Sequence, residues 1–127
     1  MVQGSKVYSY SQLEQMIQAS RHQEVKLCNN TVAHFLQDNR IGIKLHYTDV
    51  IIINQDDTYE LHTRGFTTVT TRDRLNDFSQ AKIIQKDCTF YVLKDPSMRA
   101  VKSNLVEFYE GIAVDRYGNV TELTLRT

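Results

Sequence analysis

The strongest constraint on the fold is a two-residue alternation in residues 41–47, followed almost at once by a wholly apolar run. The alternation is the period of a β-strand with one buried face. The side chains expected to face the core are Ile41, Ile43, Leu45 and Tyr47. Residues 50–53 (VIII) contain no polar member, which is typical of a strand covered on both faces. We therefore expect this second strand to lie in the middle of a sheet. Gly42 falls on the polar face, where it marks a bulge or a close backbone approach.

Short helices are expected at two places. Ser9 and Gln12 match a capping box, so a helix is expected to begin there. Thr71 has the side chain of an N-cap, and it precedes an apolar stripe that predicts a second helix over residues 72–79. A short strand is expected before it, over residues 66–70.

The remaining segments predict more antiparallel strands. Residues 83–93 have the pattern of a hairpin, and residues 108–125 that of a closing hairpin. Residues 97–109 are compatible with a helix or with a loop that leads into a strand. The predicted fold is a single α+β domain over residues 1–127. It is mainly an antiparallel β-sheet, with an N-terminal helix and a short helix near residues 72–79.

Charge and hydropathy restrict the partners. Fifteen Lys and Arg residues balance fifteen Asp and Glu residues, whereas proteins that wrap duplex DNA carry a basic excess. No apolar run approaches the roughly 18 residues of a membrane span. Residues 1–10 lack the apolar centre of a secretory signal. We therefore expect no membrane partner and a cytoplasmic location, in the host cell if the protein is viral.

A group of hydroxyl and guanidinium side chains surrounds the expected second helix. A helix N-terminus favours anions, and arginine presents a planar fork of donors to phosphate. The candidate ligand-binding residues are Thr70, Thr71, Arg72, Arg74, Arg64 and Lys44. The alternative is structural: the threonines favour a strand and cap a helix, and the arginines are solvated or pair with Asp73 and Asp77.

A second candidate site is the pair His46 and Asp49. A histidine oriented by a carboxylate can act as a general acid or base, so the pair could serve a phosphoester or nucleotide hydrolase. No nucleophile lies at a recognisable spacing. The alternative is that both side chains bond to the backbone and fix the break between two strands. A metal site needs three or four ligands, and we expect neither a metal nor a cofactor.

Seven tyrosines raise the question of base stacking. Most of them fall at core-facing strand positions, so packing in the core is the preferred interpretation. Tyr117 is the exception, because it lies in the expected turn of the last hairpin.

Several short motifs resemble a known family. They are NNT (residues 29–31), LHYTD (45–49), GFTTVTTRDRLN (65–76) and FYEGIAVDRYGNV (108–120). In combination they resemble a family of small proteins encoded in bacteriophage and prophage genomes. The resemblance covers roughly residues 24–120. It implies a viral or mobile-element setting and does not imply an activity.

Three hypotheses follow. The first is a small non-enzymatic accessory protein of the phage type that binds a phosphorylated ligand, either a nucleotide or a nucleic-acid backbone. The second is the hydrolase based on His46 and Asp49. The third is a homo-oligomeric or host-protein-binding module, in which residues 50–53 or the closing hairpin supply a strand edge for pairing.

Overall fold

The computed structural model describes residues 7–121. Within that range the chain forms two α-helices, nine β-strands and one 3₁₀ turn, which confirms the predicted α+β class. In chain order they are α1 (Tyr10–Ala19), β1 (Glu24–Cys28), β2 (Thr31–Phe35), β3 (Ile41–Leu45), β4 (Thr48–Ile53), β5 (Tyr59–Leu61), α2 (Val69–Phe78), β6 (Ile83–Lys86), β7 (Thr89–Leu93), the 3₁₀ turn (Lys102–Asn104), β8 (Leu105–Glu107) and β9 (Ile112–Val114).

The strands form two antiparallel sheets. The first has the order β1-β2-β3-β4-β5-β9 and the second β6-β7-β8. Strand β4 lies in the interior of the first sheet, and residues 50–53 are all buried, as their apolar character predicted. Because both backbone edges of β4 are paired, the expectation that residues 50–53 could offer a free edge to another chain is wrong.

The alternation in β3 ends at Leu45, two residues before the predicted end at Tyr47. Ile41, Ile43 and Leu45 are buried, but Tyr47 is 93% exposed. Leu45 pairs directly with Thr48, so His46 and Tyr47 form the turn between β3 and β4 and belong to neither strand. Facing alternates only while the backbone stays extended, and the turn therefore takes Tyr47 out of the core.

Both helices contribute to the same core as the first sheet. The capping box of α1 is confirmed, since the Gln12 N–H donates to Ser9 Oγ at 3.1 Å and the Ser9 N–H to Gln12 Oε1 at 2.9 Å. Helix α1 buries Leu13 and Ile17 and packs against β1, β2 and β3. Helix α2 contacts β4 and also β6, so it joins the two sheets.

Helix α2 begins at Val69 rather than near residue 72, and the strand expected over residues 66–70 is absent. Thr68 is the N-cap instead of Thr71: its backbone is extended, and its Oγ accepts the Thr71 N–H at 3.1 Å. This short side-chain bond to the backbone satisfies a free helix donor, which outweighs the preference of threonine for strands.

Residues 97–109, whose sequence is compatible with a helix or with a loop that leads into a strand, take the second form. Residues 97–109 form the 3₁₀ turn and then β8, and residues 83–93 form the expected hairpin of β6 and β7. The closing hairpin is present as β9, a turn at residues 115–119 and a single bridge between Val114 and Val120. Its expected continuation to residue 125 lies outside the described residues.

Asn76 connects α2 to the second sheet. Its Oδ1 accepts the Ile83 N–H at 2.7 Å, and its Nδ2 donates to the Ile83 carbonyl at 3.1 Å. The substitution Asn76→Ala leaves the N–H and the carbonyl of Ile83 without these partners. We expect it to lower the free energy of unfolding, measured in urea, by about 1–3 kcal/mol. Asn76→Asp is the matched control, because it keeps the acceptor and should lose less. Equal stability of all three proteins would contradict this role.

Candidate functional site

A cleft of about 510 Å³ lies between the β3–β4 turn and the first turn of α2. One wall comes from residues 45–50 and the other from residues 63–71. Its volume falls within the roughly 300–1,000 Å³ of typical small-molecule sites. Tyr47, which the turn takes out of the core, is one of the lining residues.

The lining of the cleft is apolar and hydroxylic. Leu45 and Val50 are buried side chains on one wall, and the aromatic ring of Phe66 lies on the other. His46, Tyr47 and five threonines complete it, the threonines being Thr48, Thr63, Thr68, Thr70 and Thr71. Among the described residues, no carboxylate, lysine or arginine lines this cleft. The site therefore suits a ligand with an uncharged apolar part that also accepts or donates hydrogen bonds.

Two of the threonine hydroxyls are unused. Thr68 Oγ and Thr71 Oγ bond to each other at 3.0 Å, and Thr63 Oγ donates to Glu110 at 2.5 Å. By contrast, the hydroxyls of Thr48 and Thr70 have no hydrogen-bond partner within residues 7–121. These two groups remain available to a ligand.

The first turn of α2 also has free backbone donors. The N–H groups of Val69 and Thr70 have no acceptor in the described part of the chain, whereas the Thr71 N–H is capped by Thr68. Unpaired N–H groups at a helix N-terminus carry partial positive charge. Thr68 and Thr70 line the cleft, so this charge lies at its border.

The predicted ligand residues divide into two groups. Thr70 and Thr71 line the cleft, with Thr70 exposed and Thr71 buried. The four cations Lys44, Arg64, Arg72 and Arg74 are not part of its lining.

Each arginine binds a different neighbour. Arg72 Nη1 donates to Gln85 Oε1 at 3.1 Å, Arg74 Nε to Thr31 Oγ1 at 2.8 Å, and Arg64 Nε to the Asp49 carbonyl at 2.9 Å. Residues two apart on a helix point in very different directions. Arg72 and Arg74 therefore bond to residues in different parts of the fold. A role of these cations in ligand binding stays a prediction.

The histidine bonded to Asp49 is His34 rather than His46. His34 Nε2 lies 2.6 Å from Asp49 Oδ1 across the outer face of the sheet. This hydrogen bond outweighs the effect of burial and raises the pKa of His34 above its ordinary value. His46 is exposed in the turn, and its ring has no hydrogen-bond partner among residues 7–121. The hydrolase alternative therefore stays a prediction without a His46–Asp49 contact to support it.

Gly42 is what allows His34 and Asp49 to meet. It lies on β3 between them, opposite His34, and a Cβ atom at this position would be 2.5 Å from Asp49 Oδ1. The close approach anticipated at Gly42 is confirmed, and the register shift of β3 follows it between Ile43 and Lys44. Sequence reasoning missed His34 because only the strand register places it across from this glycine.

Glu110 holds the wall of the cleft formed by Thr63 and Arg64. Its carboxylate accepts the Thr63 N–H at 2.9 Å and the Arg64 N–H at 3.0 Å, besides the Thr63 hydroxyl. Burial raises the pKa of Glu110, but these hydrogen bonds outweigh it, so the pKa lies below its ordinary value. His62 is adjacent, with Nδ1 3.6 Å from Glu110 Oε1, and burial lowers its pKa.

Two kinds of feature are absent from residues 7–121. No group of three or more His, Cys, Asp or Glu side chains is arranged to hold a metal ion. No helix in this range has the length and hydrophobicity required to cross a membrane.

One comparison with known proteins gives a match. The family model described as Kyanoviridae Gp96 protein, a family of bacteriophage proteins, matches residues 10–115 of the chain. No curated protein and no solved structure matches it significantly.

The substitution Gly42→Ala tests the packing beneath the His34–Asp49 pair. The added methyl group overlaps the carboxylate, and we expect a loss of about 1–3 kcal/mol in the free energy of unfolding, as for other overpacked sites. The measurement is urea unfolding. In an Asp49→Ala background the same change should cost clearly less, because the obstructing carboxylate is gone. An equal cost in both backgrounds would mean that another neighbour, such as Leu36, sets the limit.

The Glu110 contacts predict a pH dependence of stability. A lowered pKa in the folded state means that the contribution is complete above the ordinary glutamate pKa and is lost as the pH falls through the folded-state pKa. The free energy of unfolding of the parent protein should therefore fall more on acidification than that of the Glu110→Gln variant. The test is urea unfolding at a series of acidic pH values. Parallel pH profiles for the two proteins would show that the carboxylate does not stabilise this wall.

Proposed function

We propose that this chain, which belongs to the Kyanoviridae Gp96 protein family and is therefore a bacteriophage protein, is a non-enzymatic accessory protein. It binds a phosphorylated small molecule of the nucleotide type in the cleft in front of α2. The observation that carries this proposal is the unsatisfied first turn of α2. It brings two free N–H groups and one free hydroxyl to the border of an otherwise uncharged cleft.

The phosphate end of the ligand occupies the helix N-terminus. The N–H groups of Val69 and Thr70 donate to phosphate oxygens, and the Thr70 hydroxyl adds a third donor. The helix macrodipole supplies roughly half a positive charge at this end. Thr71 acts indirectly, because its hydroxyl and N–H hold the Thr68 cap that shapes the turn.

Among the predicted cations, Arg72 is the best additional contact. Its contacts are an exposed hydrogen bond to Gln85 and a 4.0 Å ion pair between its Nε and Asp73 Oδ1. An exposed ion pair contributes little, so exchanging these contacts for a phosphate costs little. Arg74 is less suited, since its guanidinium already binds Thr31 and the Asn29 carbonyl. Arg64 and Lys44 contribute at most a longer-range charge.

The net charge of zero and the size of the cleft favour a small ligand over a long nucleic acid. A duplex would need many phosphate contacts and hence a basic surface. The cleft can instead enclose one nucleotide unit, with the phosphate at α2 and the remainder against Leu45 and Val50.

Val69→Pro tests the phosphate site at the backbone. Proline is well tolerated at the first position of a helix, and Thr68 has the extended backbone that a residue before proline adopts. The change removes one free N–H and leaves the helix intact. We expect nucleoside monophosphates to raise the melting temperature of the parent protein, as binding to the native state must. The shift should be much smaller for Val69→Pro.

Val69→Ala is the control, because it shortens the same exposed side chain but keeps the N–H. It should retain the full shift. If no phosphorylated compound stabilises the parent protein, or if Val69→Pro and Val69→Ala respond equally, the site is not at the N-terminus of α2.

A further inference from the structure

We propose that three rings at the mouth of the cleft, those of His46, Tyr47 and Phe66, form an aromatic clamp for a planar heterocycle, so that the ligand carries a nucleobase. This inference rests on the proposed function and specifies the part of the ligand that does not bear the phosphate.

The β3–β4 turn has a backbone that glycine would adopt more easily than histidine. Only two residues separate the paired Leu45 and Thr48, and the first of them, His46, has φ of 59°. Apart from glycine, this region is occupied mainly by Asn, Asp and His, and it remains uncommon for any of them. The turn is also fixed from outside, since the His46 N–H donates to the Asn30 carbonyl at 2.7 Å. The turn therefore holds His46 at the cleft, which this residue lines.

The three rings have no partner within residues 7–121. Tyr47 is 93% exposed and Phe66 59% exposed, and neither contacts another aromatic ring there. His46 and Tyr47 belong to the lining segment of residues 45–50, and Phe66 belongs to the lining segment of residues 63–71. Exposed apolar side chains that gather around one cleft indicate a binding site more often than scattered ones do.

Phe66 is held in its position by a second tight turn. Residues 63–66 are closed by a hydrogen bond from the Phe66 N–H to the Thr63 carbonyl at 2.9 Å, and Arg64 and Gly65 both have positive φ. Glu110 ties this turn to the loop before β9 through the Thr63 and Arg64 N–H groups. Both walls of the clamp are therefore built on fixed backbone, which reduces the entropy lost when a ring is bound.

The chemistry of the lining matches a nucleobase. Rings stack well on the faces of aromatic side chains, and the apolar side chains of Leu45 and Val50 line the same cleft. The unused hydroxyls of Thr48 and Thr70 can bond to polar groups at the edge of the ring. No charged aspartate, glutamate, lysine or arginine side chain meets the ligand in this part of the cleft, among the described residues.

The experiment compares three probes by calorimetric titration: nucleoside monophosphates, ribose 5-phosphate, and the unphosphorylated nucleosides. We expect the monophosphates to bind about tenfold or more tightly than ribose 5-phosphate, given typical stacking contributions. Tyr47→Ala and Phe66→Ala should weaken the monophosphates toward the ribose 5-phosphate level and leave ribose 5-phosphate unchanged. Tyr117→Ala, which removes an exposed ring outside the cleft lining, should change neither.

His46→Gly separates binding from folding. It relieves the positive-φ strain, so the melting temperature without ligand should rise, while the affinity for monophosphates should fall. A rise in both would show that the His46 ring has no part in binding and would overturn its place in the clamp.

The outcomes distinguish this inference from the proposed function. Equal affinities for monophosphates and ribose 5-phosphate would overturn the clamp and leave the phosphate site standing. Binding of nucleosides that phosphate does not improve would support the clamp and overturn the phosphate site. Failure of all three probes would overturn both.

Discussion

The structure depends on the burial of strand β4 on both of its faces. Its apolar residues pair with β3 and β5, and α2 packs on its inner face. The same strand therefore supports both the core and the cleft. Val50 belongs to both, since it is buried and also lines the cleft. Burial of such side chains is worth about 1.5–3 kcal/mol each, which is enough to maintain the strain of the turn that precedes the strand.

Two opposing requirements meet at the start of β4. The outer face needs Gly42 so that Asp49 can reach His34, while the turn beside it carries His46 at a backbone angle that glycine would adopt more easily. Glycine is thus present where packing demands it and absent where only the turn would favour it. The family match places this arrangement in a bacteriophage protein.

Much of the fold could be predicted from local pattern. The alternation over residues 41–45, the apolar run of β4 and the capping box of α1 are all confirmed, because each depends on residues close in sequence. The error at Thr71 has a local cause as well, since Thr68 and Thr71 are both able to cap and one hydrogen bond decides between them. Of the predicted site, Thr70 and Thr71 line the cleft, but the arginines bond to side chains and carbonyls that are far away in the sequence.

The α+β class, the central strand and the phage resemblance follow from the sequence, since hydrophobic period, capping and motifs are properties of short segments. Three features depend on the folded chain: His34 rather than His46 binds Asp49, the guanidinium groups diverge, and Tyr47 and Phe66 line one cleft. Register and packing bring together residues separated by long stretches of chain, and a charged side chain bonds to whichever partner the fold places within reach.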